Sequence, residues 1–274
     1  MNYLHRRKSG NASLIDVHMK CEWFLCTLFS ISFPLHVFAS CERVIISAHP
    51  NYAPFHWAQG ESLTGASIHT ATDILNHLGV PWEVQHSGPW KRVLKEAYDG
   101  NIDLIPALKR TSERESYLTF THAPFFDNPV SVFRLRGNKP ISDLQALDGL
   151  IGSINAGDKH GAVIDTFLAH QDVVQVKGIR ESFQMLDKGR VDYYVIGERV
   201  ARSFLKENNL EERFVKVFEL TGAQVHFAFS KQSPCAYLTS SFDKYLVEMN
   251  NDNTIKHYIE MYNDLWLQQR LVIE

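Results

Sequence analysis

Two hydrophobic rhythms run along the chain. Short aliphatic and β-branched runs bounded by Gly, Pro or Asn read as strands at residues 43–48, 82–85 and 102–108. Between them, Ile68, Ala71, Ile74, Leu75 and Leu78 share one helical face with Gly79 as the stop, and Pro89 opens a second helix closed by Gly100. The pattern repeats after residue 140. A helical turn at 143–147 precedes strands at 150–154, 173–176, 191–196 and 214–218, which alternate with helices at 158–170, 180–188 and 198–208. Such alternation predicts α/β layers around largely parallel sheets. Residues 49–67, rich in Pro, Gly and Asn, read as a loop carrying Tyr52, Phe55 and Trp57. Beyond residue 231 the chain is helical, with Phe242, Tyr245, Leu246, Met249, Ile255, Tyr258, Ile259 and Tyr262 spaced as core.

LKEAYDGNIDLIPA (94–107) and FQMLDKGRVDYYVI (183–196) share one design: a helix, a Gly to end it, an aliphatic residue, an Asp and a strand. Two such units predict two similar lobes. Extended runs at 131–140 and 222–231 are the candidate crossings between them. The first lobe then comprises residues 41–132 plus 226–274, and the second is the insertion 133–225. Two crossings make a hinge, and a hinge makes a cleft that can close on a ligand.

Composition narrows the partners. Lys and Arg number 28 against 31 Asp and Glu, for a net charge of −3, so no basic surface calls for nucleic acid. The 13 His show no metal-ligand spacing, and His49, His56, His69 and His77 read as surface or core. Residues 1–39 read as a secretory signal, with Met19 as the natural start: a basic approach, an apolar middle interrupted by Pro34, and small residues at the end. The run is too interrupted for a membrane span of about 20 apolar residues. Of four Cys, Cys21 and Cys26 lie in that segment, leaving Cys41 and Cys235 as an even pair in an exported chain. A disulfide between them is favoured over the rival reading, in which FASC (38–41) is a lipoprotein processing site and Cys41 carries the lipid.

One stretch demands a further explanation. KRTSERESYLTFTHAPFF (109–126) sets Arg114 in a short polar turn and follows it with an extended Thr/Phe/Pro run. Arg114 is either solvated surface or a guanidinium presented to an anion. This block, with NYAPFHW (51–57), LGV (78–80), DLQALDGLIGSINAGD (143–158), LDKGRVDYYVIGE (186–198) and VHFAFSK (225–231), resembles the type II periplasmic solute-binding proteins of family 3, the polar amino acid uptake class. The resemblance implies a two-lobed α/β fold with a two-strand hinge. It implies a monomer in the periplasm, no cofactor, a small-molecule solute held between the lobes, and delivery to the membrane permease of an ABC transporter. It places Arg114 on the ligand carboxylate, a task suited to a planar guanidinium. Tyr52 and Trp90 match aromatics that face the ligand, and Trp57 is a further candidate. Lys109 stands where a small hydroxyl residue is usual, which favours a more acidic ligand group. The second-lobe turn reads NAGDK (155–159), with Asp158 in place of a threonine, either touching ligand or serving as an ordinary helix N-cap. The acid that pairs with a ligand amine is replaced by Gly197, with Glu198 beside it. An enzyme on the same scaffold, dehydratase-like, would need a general acid or base, for which Glu198, Asp158 and His160 are candidates. A sensory binder acting on a membrane receptor is a third reading.

Overall fold

A computed structural model describes residues 40–220 and 224–271; the expected signal segment 1–39 lies outside the described residues. The chain forms, in order, β1 (Val44–Ile46), β2 (Asn51–Tyr52), β3 (His56–Gln59), β4 (Ser62–Thr64), α1 (Ala66–His77), β5 (Trp82–Val84), α2 (Trp90–Tyr98), β6 (Leu104–Lys109), α3 (Ser112–Glu115), β7 (Leu118–Phe120) and β8 (Phe126–Asp127). It continues through β9 (Val130–Leu135), β10 (Gly152–Asn155), α4 (Ala162–Leu168), β11 (Val173–Val176), α5 (Ile179–Asp187), β12 (Tyr193–Gly197), α6 (Glu198–Glu207), β13 (Phe214–Leu220), β14 (Gln224–Ser230), α7 (Thr239–Asn251) and α8 (Thr254–Leu271).

These strands build two main sheets. The first runs β5-β1-β6-β14-β7, with β8 also on β14; the second runs β11-β10-β12-β9-β13. Each is parallel where strands alternate with helices (β5-β1-β6 and β11-β10-β12) and antiparallel around β14 and β9. The sheets are therefore mixed rather than mostly parallel. Strands β9 and β14 each begin just after the chain has left the other sheet, so they enter running against their neighbours.

The first crossing lies upstream of the expected run 131–140. Val130–Leu135 is a strand in the second sheet, paired on both edges, so the chain passes from one sheet to the other between Asp127 and Val130. Hydrophobic alternation through Val130, Val132 and Phe133, all buried, explains why it is sheet and not connector. The return crosses between Leu220 and Gln224, and β14 lies wholly in the first sheet. The expected loop 49–67 contains the small antiparallel sheet β2-β3-β4, which lays Trp57 opposite Thr64.

The two sequence echoes are one device used twice. Asp103 accepts a hydrogen bond from the Ile45 amide (2.7 Å), and Asp192 accepts one from the Ile151 amide (2.9 Å). Each carboxylate thus ties the mouth of one strand to its parallel neighbour. Gly100 and Gly189, which end the preceding helices, have φ of 83° and 62°, where a side chain is strained. Helices α7 and α8 close the first sheet: Phe242 and Leu246 are fully buried, and Tyr258 stacks on His69 with centroids 4.1 Å apart. A disulfide joins Cys41 to Cys235, which pins the segment leading into β1 to the turn before α7 and leaves no free sulfur at Cys41 for a lipid.

Candidate functional site

Ligand crevices of α/β sheets form beyond the carboxyl ends of parallel strands, where helices leave room on one side. In this chain β1 is followed by His49, β6 ends at Lys109, β10 runs into the turn carrying Asp158, and β12 ends at Gly197. All four residues line one cavity, together with Tyr52 and Arg114.

Arg114 sits in α3, whose N-cap Thr111 accepts a hydrogen bond from the Arg114 amide (3.3 Å). The polar turn therefore points its guanidinium inward: Arg114 is only 3% exposed. Its Nη1 donates to the Lys109 carbonyl (2.8 Å) and its Nη2 reaches the Gly157 carbonyl (3.1 Å), which belongs to the turn after β10. The guanidinium lies 5.7 Å from the Trp90 ring centroid, a cation–π distance. Among the described residues it makes no ion pair, and burial lowers its pKa without threatening its charge. Five N–H donors with two engaged leave three for a carboxylate.

Lys109 is buried beside it. Residue Ala107 takes φ 53°, where β6 bulges against β14, and this turns the strand's last residues toward the crevice. The Lys109 ammonium donates to the Asn128 carbonyl (2.8 Å). Burial drops its pKa to about 7, against the pull of Asp158 and Asp165. Asn128, at the first crossing, also donates to the Tyr52 hydroxyl and accepts from the Arg199 amide (3.4 Å), so it ties both sheets to the site.

The opposite wall comes from the second sheet. Gly157 has φ 92°, and a Cβ there would press on Lys91 and Trp90 at 3.2 Å, so this turn approaches α2 as only glycine allows. Asp158 accepts from Asn155 (3.0 Å), whose other amide atom accepts the Tyr194 hydroxyl (2.8 Å). Helix α4 starts at Ala162, later than the expected 158, so Asp158 is no N-cap. Asp165 binds the amides of His160 and Gly161 instead. His160 is 4% exposed, and its Nε2 is buried with no hydrogen-bond partner among the described residues. Burial lowers the pKa of His49, His56 and His160, so all three are neutral near pH 7.

Five expected site residues, Arg114, Tyr52, Trp90, Lys109 and Asp158, are thus brought to one crevice. Two are not. Trp57 is buried against Trp266 (centroids 5.0 Å) and Tyr262 (6.0 Å), so it serves the packing of α8. Glu198 turns away from the crevice and accepts from Lys216 (2.9 Å), Arg202 (2.5 Å) and Ser131 (3.0 Å). Burial would raise its pKa, but hydrogen bonds with Glu219, Lys216, Arg202 and Ser131 hold the carboxyl down to about 2. Gly197 cannot be relieved by its neighbour either, since a Cβ at 197 would meet the Asn128 amide nitrogen at 2.3 Å. The residues missed were His49, His56 and Asn128. Their signal is positional: His49 and Asn128 each follow a strand, and His56 opens β3. Among the described residues no group of three or more His, Cys, Asp or Glu could hold a metal, and no helix is long and apolar enough to cross a membrane.

Comparison with known proteins gives a consistent picture. The family model of bacterial extracellular solute-binding proteins, family 3, matches residues 44–264. A probable histidine-binding protein of Campylobacter jejuni is 24% identical over 223 residues, covering 79% of this chain and 83% of that one. The arginine-binding extracellular protein ArtP of Bacillus subtilis is 22% identical over 222 residues, covering 78% and 84%. Among solved structures, an ancestral arginine-binding protein bound to glutamine superposes with a TM-score of 0.68 at 25% identity, over 81% of this chain and 97% of that one. A histidine kinase sensor domain with similarity to periplasmic binding proteins superposes at 0.70 and 18% identity, over 80% and 95%, which speaks to the fold alone.

Proposed function

The chain belongs to the bacterial extracellular solute-binding proteins, family 3, and from that premise we propose that it captures a small, amino-acid-like solute bearing a carboxylate and hands it to the membrane permease of an ABC transporter. The two sheets and their helices act as lobes that the chain links between Asp127 and Val130 and again between Leu220 and Gln224, and the solute is held where they meet. Capture is non-covalent and uses no cofactor. The exported chain works in the periplasm as a monomer.

The observation that carries this reading is Arg114. A guanidinium buried to 3% exposure with no ion pair among the described residues is costly unless an anion completes it. It lies against both walls of the crevice at once, so a carboxylate bound there favours the closed form over the open one. The relatives' binding of histidine, arginine and glutamine supports the amino-acid class.

A thermal-shift screen of the purified chain against neutral, basic and acidic amino acids and small diacids tests the proposal. A binder at 100 times its Kd adds about 2.7 kcal/mol of stability. Arg114→Ala is expected to keep the circular dichroism spectrum and lose the shift. Absence of a shift with every carboxylate-bearing solute, or an undiminished shift in Arg114→Ala, overturns it.

A further inference from the structure

The relatives whose ligands are named bind arginine, histidine or glutamine. A cationic side chain in such a crevice needs a carboxylate of its own, in addition to the partner of the ligand's α-amine. Here Asp158 is the one carboxylate lining the cavity among the described residues. No acid can be added at Gly197, because the Asn128 side chain fills that space from a fully buried position. The crevice is instead furnished with donors. Lys109 and Arg114 enter from the first sheet, both more than nine-tenths buried. His160 enters from the second, with its buried Nε2 lacking any acceptor or donor among the described residues. A neutral imidazole nitrogen in that state forfeits a hydrogen bond unless a ligand supplies it. His160 and Lys109 are within electrostatic reach of each other and of Asp158.

We propose that the crevice is specific for a small solute with two acidic groups, one held by Arg114 and the second by Lys109 together with the His160 N–H. This assignment rests on the binding function proposed above and narrows its ligand class. Asp158 favours a particular form: an acidic amino acid brings its two anions to Arg114 and Lys109 and turns its ammonium to Asp158. An amine-free diacid meets the same two anion sites but offers Asp158 no cation of its own. An arginine-like solute would add a cation beside Lys109.

Isothermal titration of the purified chain distinguishes these cases, with L-aspartate, L-glutamate, succinate and glutarate as diacid probes and L-glutamine, L-arginine and L-histidine as comparators. The diacids are expected to bind, with the amine-bearing pair tighter. Replacing L-glutamate by L-glutamine, which removes only the second charge, is expected to weaken binding about 10- to 100-fold, the range of a charged hydrogen bond. Lys109→Met and His160→Gln are each expected to weaken diacid binding and to narrow that difference. The glutamate–glutamine comparison uses the unmodified chain, so the outcome does not depend on how a variant folds. Equal or tighter binding of glutamine or arginine overturns the two-anion assignment while leaving the binding function standing. Failure of all seven probes overturns the two-anion assignment, and the wider thermal-shift screen then decides the binding function.

Discussion

Lys109 makes ligand affinity and protein stability respond to pH in opposite directions. In the unliganded crevice burial brings its pKa from 10.5 to about 7. An acidic group bound against the ammonium restores the charged form, so the complex keeps a proton that the free protein sheds above pH 7. Affinity is then fully present below about pH 7 and falls as pH rises. With a free-state pKa of about 7 and a bound-state value near the ordinary one, the loss between pH 6.5 and 8.5 is about 25-fold. Other groups in the crevice do not contribute in this window: His49, His56 and His160 are already neutral, and Tyr52 is pushed far above it. The charged groups facing Lys109 are Arg114, Asp158 and Asp165. Titration calorimetry with L-glutamate in buffers of different ionisation enthalpy reads the same event directly, as about 0.9 proton taken up per ligand at pH 8. Folding of the free protein runs the other way. Between pH 7 and 10.5 the unfolded chain binds more protons than the native one, so stability rises with pH; the Lys109 contribution between pH 7 and 9 is about 2 kcal/mol in urea unfolding. Lys109→Met should flatten both profiles. A glutamate affinity constant within threefold from pH 6.5 to 8.5, with no proton uptake, refutes the reasoning.

Three further outcomes are expected. Reducing the Cys41–Cys235 bridge, or replacing both residues by Ser, opens a loop of 194 residues; chain entropy puts the loss near 5 kcal/mol, and a urea midpoint unchanged on reduction would contradict it. The buried histidines His49, His56 and His160, whose pKa values burial lowers, bind fewer protons folded than unfolded below pH 6.5, so stability falls as pH drops through that value; His56→Gln should flatten part of the slope between pH 7 and 5 in urea melts. Gly197→Asp forces a side chain onto Asn128 and should cost about 1–3 kcal/mol by overpacking, a penalty that Asn128→Gly in the same chain should largely remove when unfolding midpoints are compared.

The fold was legible because its signals are local and repeated. Residues 68–78 announced α1 by one apolar stripe, and the paired Gly-x-aliphatic-Asp units announced equivalent strand entries in both sheets, which Asp103 and Asp192 now explain through their amide bonds. The small sheet β2-β3-β4 was hidden because its pairing is set by short turns in a Pro-rich segment, with strands of two to four residues and no sustained alternation. The first crossing was misplaced for a related reason: hydrophobic alternation marks a strand but not the sheet it joins. At the site, Arg114 could be read from its motif. Trp57 and Glu198 could not be dismissed from sequence, because what removes them is a partner far along the chain: Trp266 on α8 for one, Lys216 on β13 for the other. The histidines were missed because a histidine's role depends on whether burial or solvent meets it, and sequence does not carry that.

The contacts that join the two halves show where the ligand's contribution must fall. Away from the crevice, α8 meets α6 through Trp266 to Glu207 (2.8 Å) and Ser203 to Asn263 (3.3 Å). At the crevice mouth, Lys159 faces Glu113 at 3.3 Å with the two side chains 40% and 71% exposed, and Lys91 donates to Gln175 (3.1 Å) at the surface. Exposed pairs of this kind contribute about 0–1 kcal/mol. Inside, Arg114 to the Gly157 carbonyl is the buried bond that spans the walls, and it joins a cation to a neutral acceptor. Lys109 and Arg114 already lie side by side on the first sheet, with Asp158 and Asp165 within electrostatic reach of both. A carboxylate bound between them, as proposed, adds a shared counter-charge in a dry crevice. Under the proposed function, a rim this weak leaves closure to be selected by the charge of the solute.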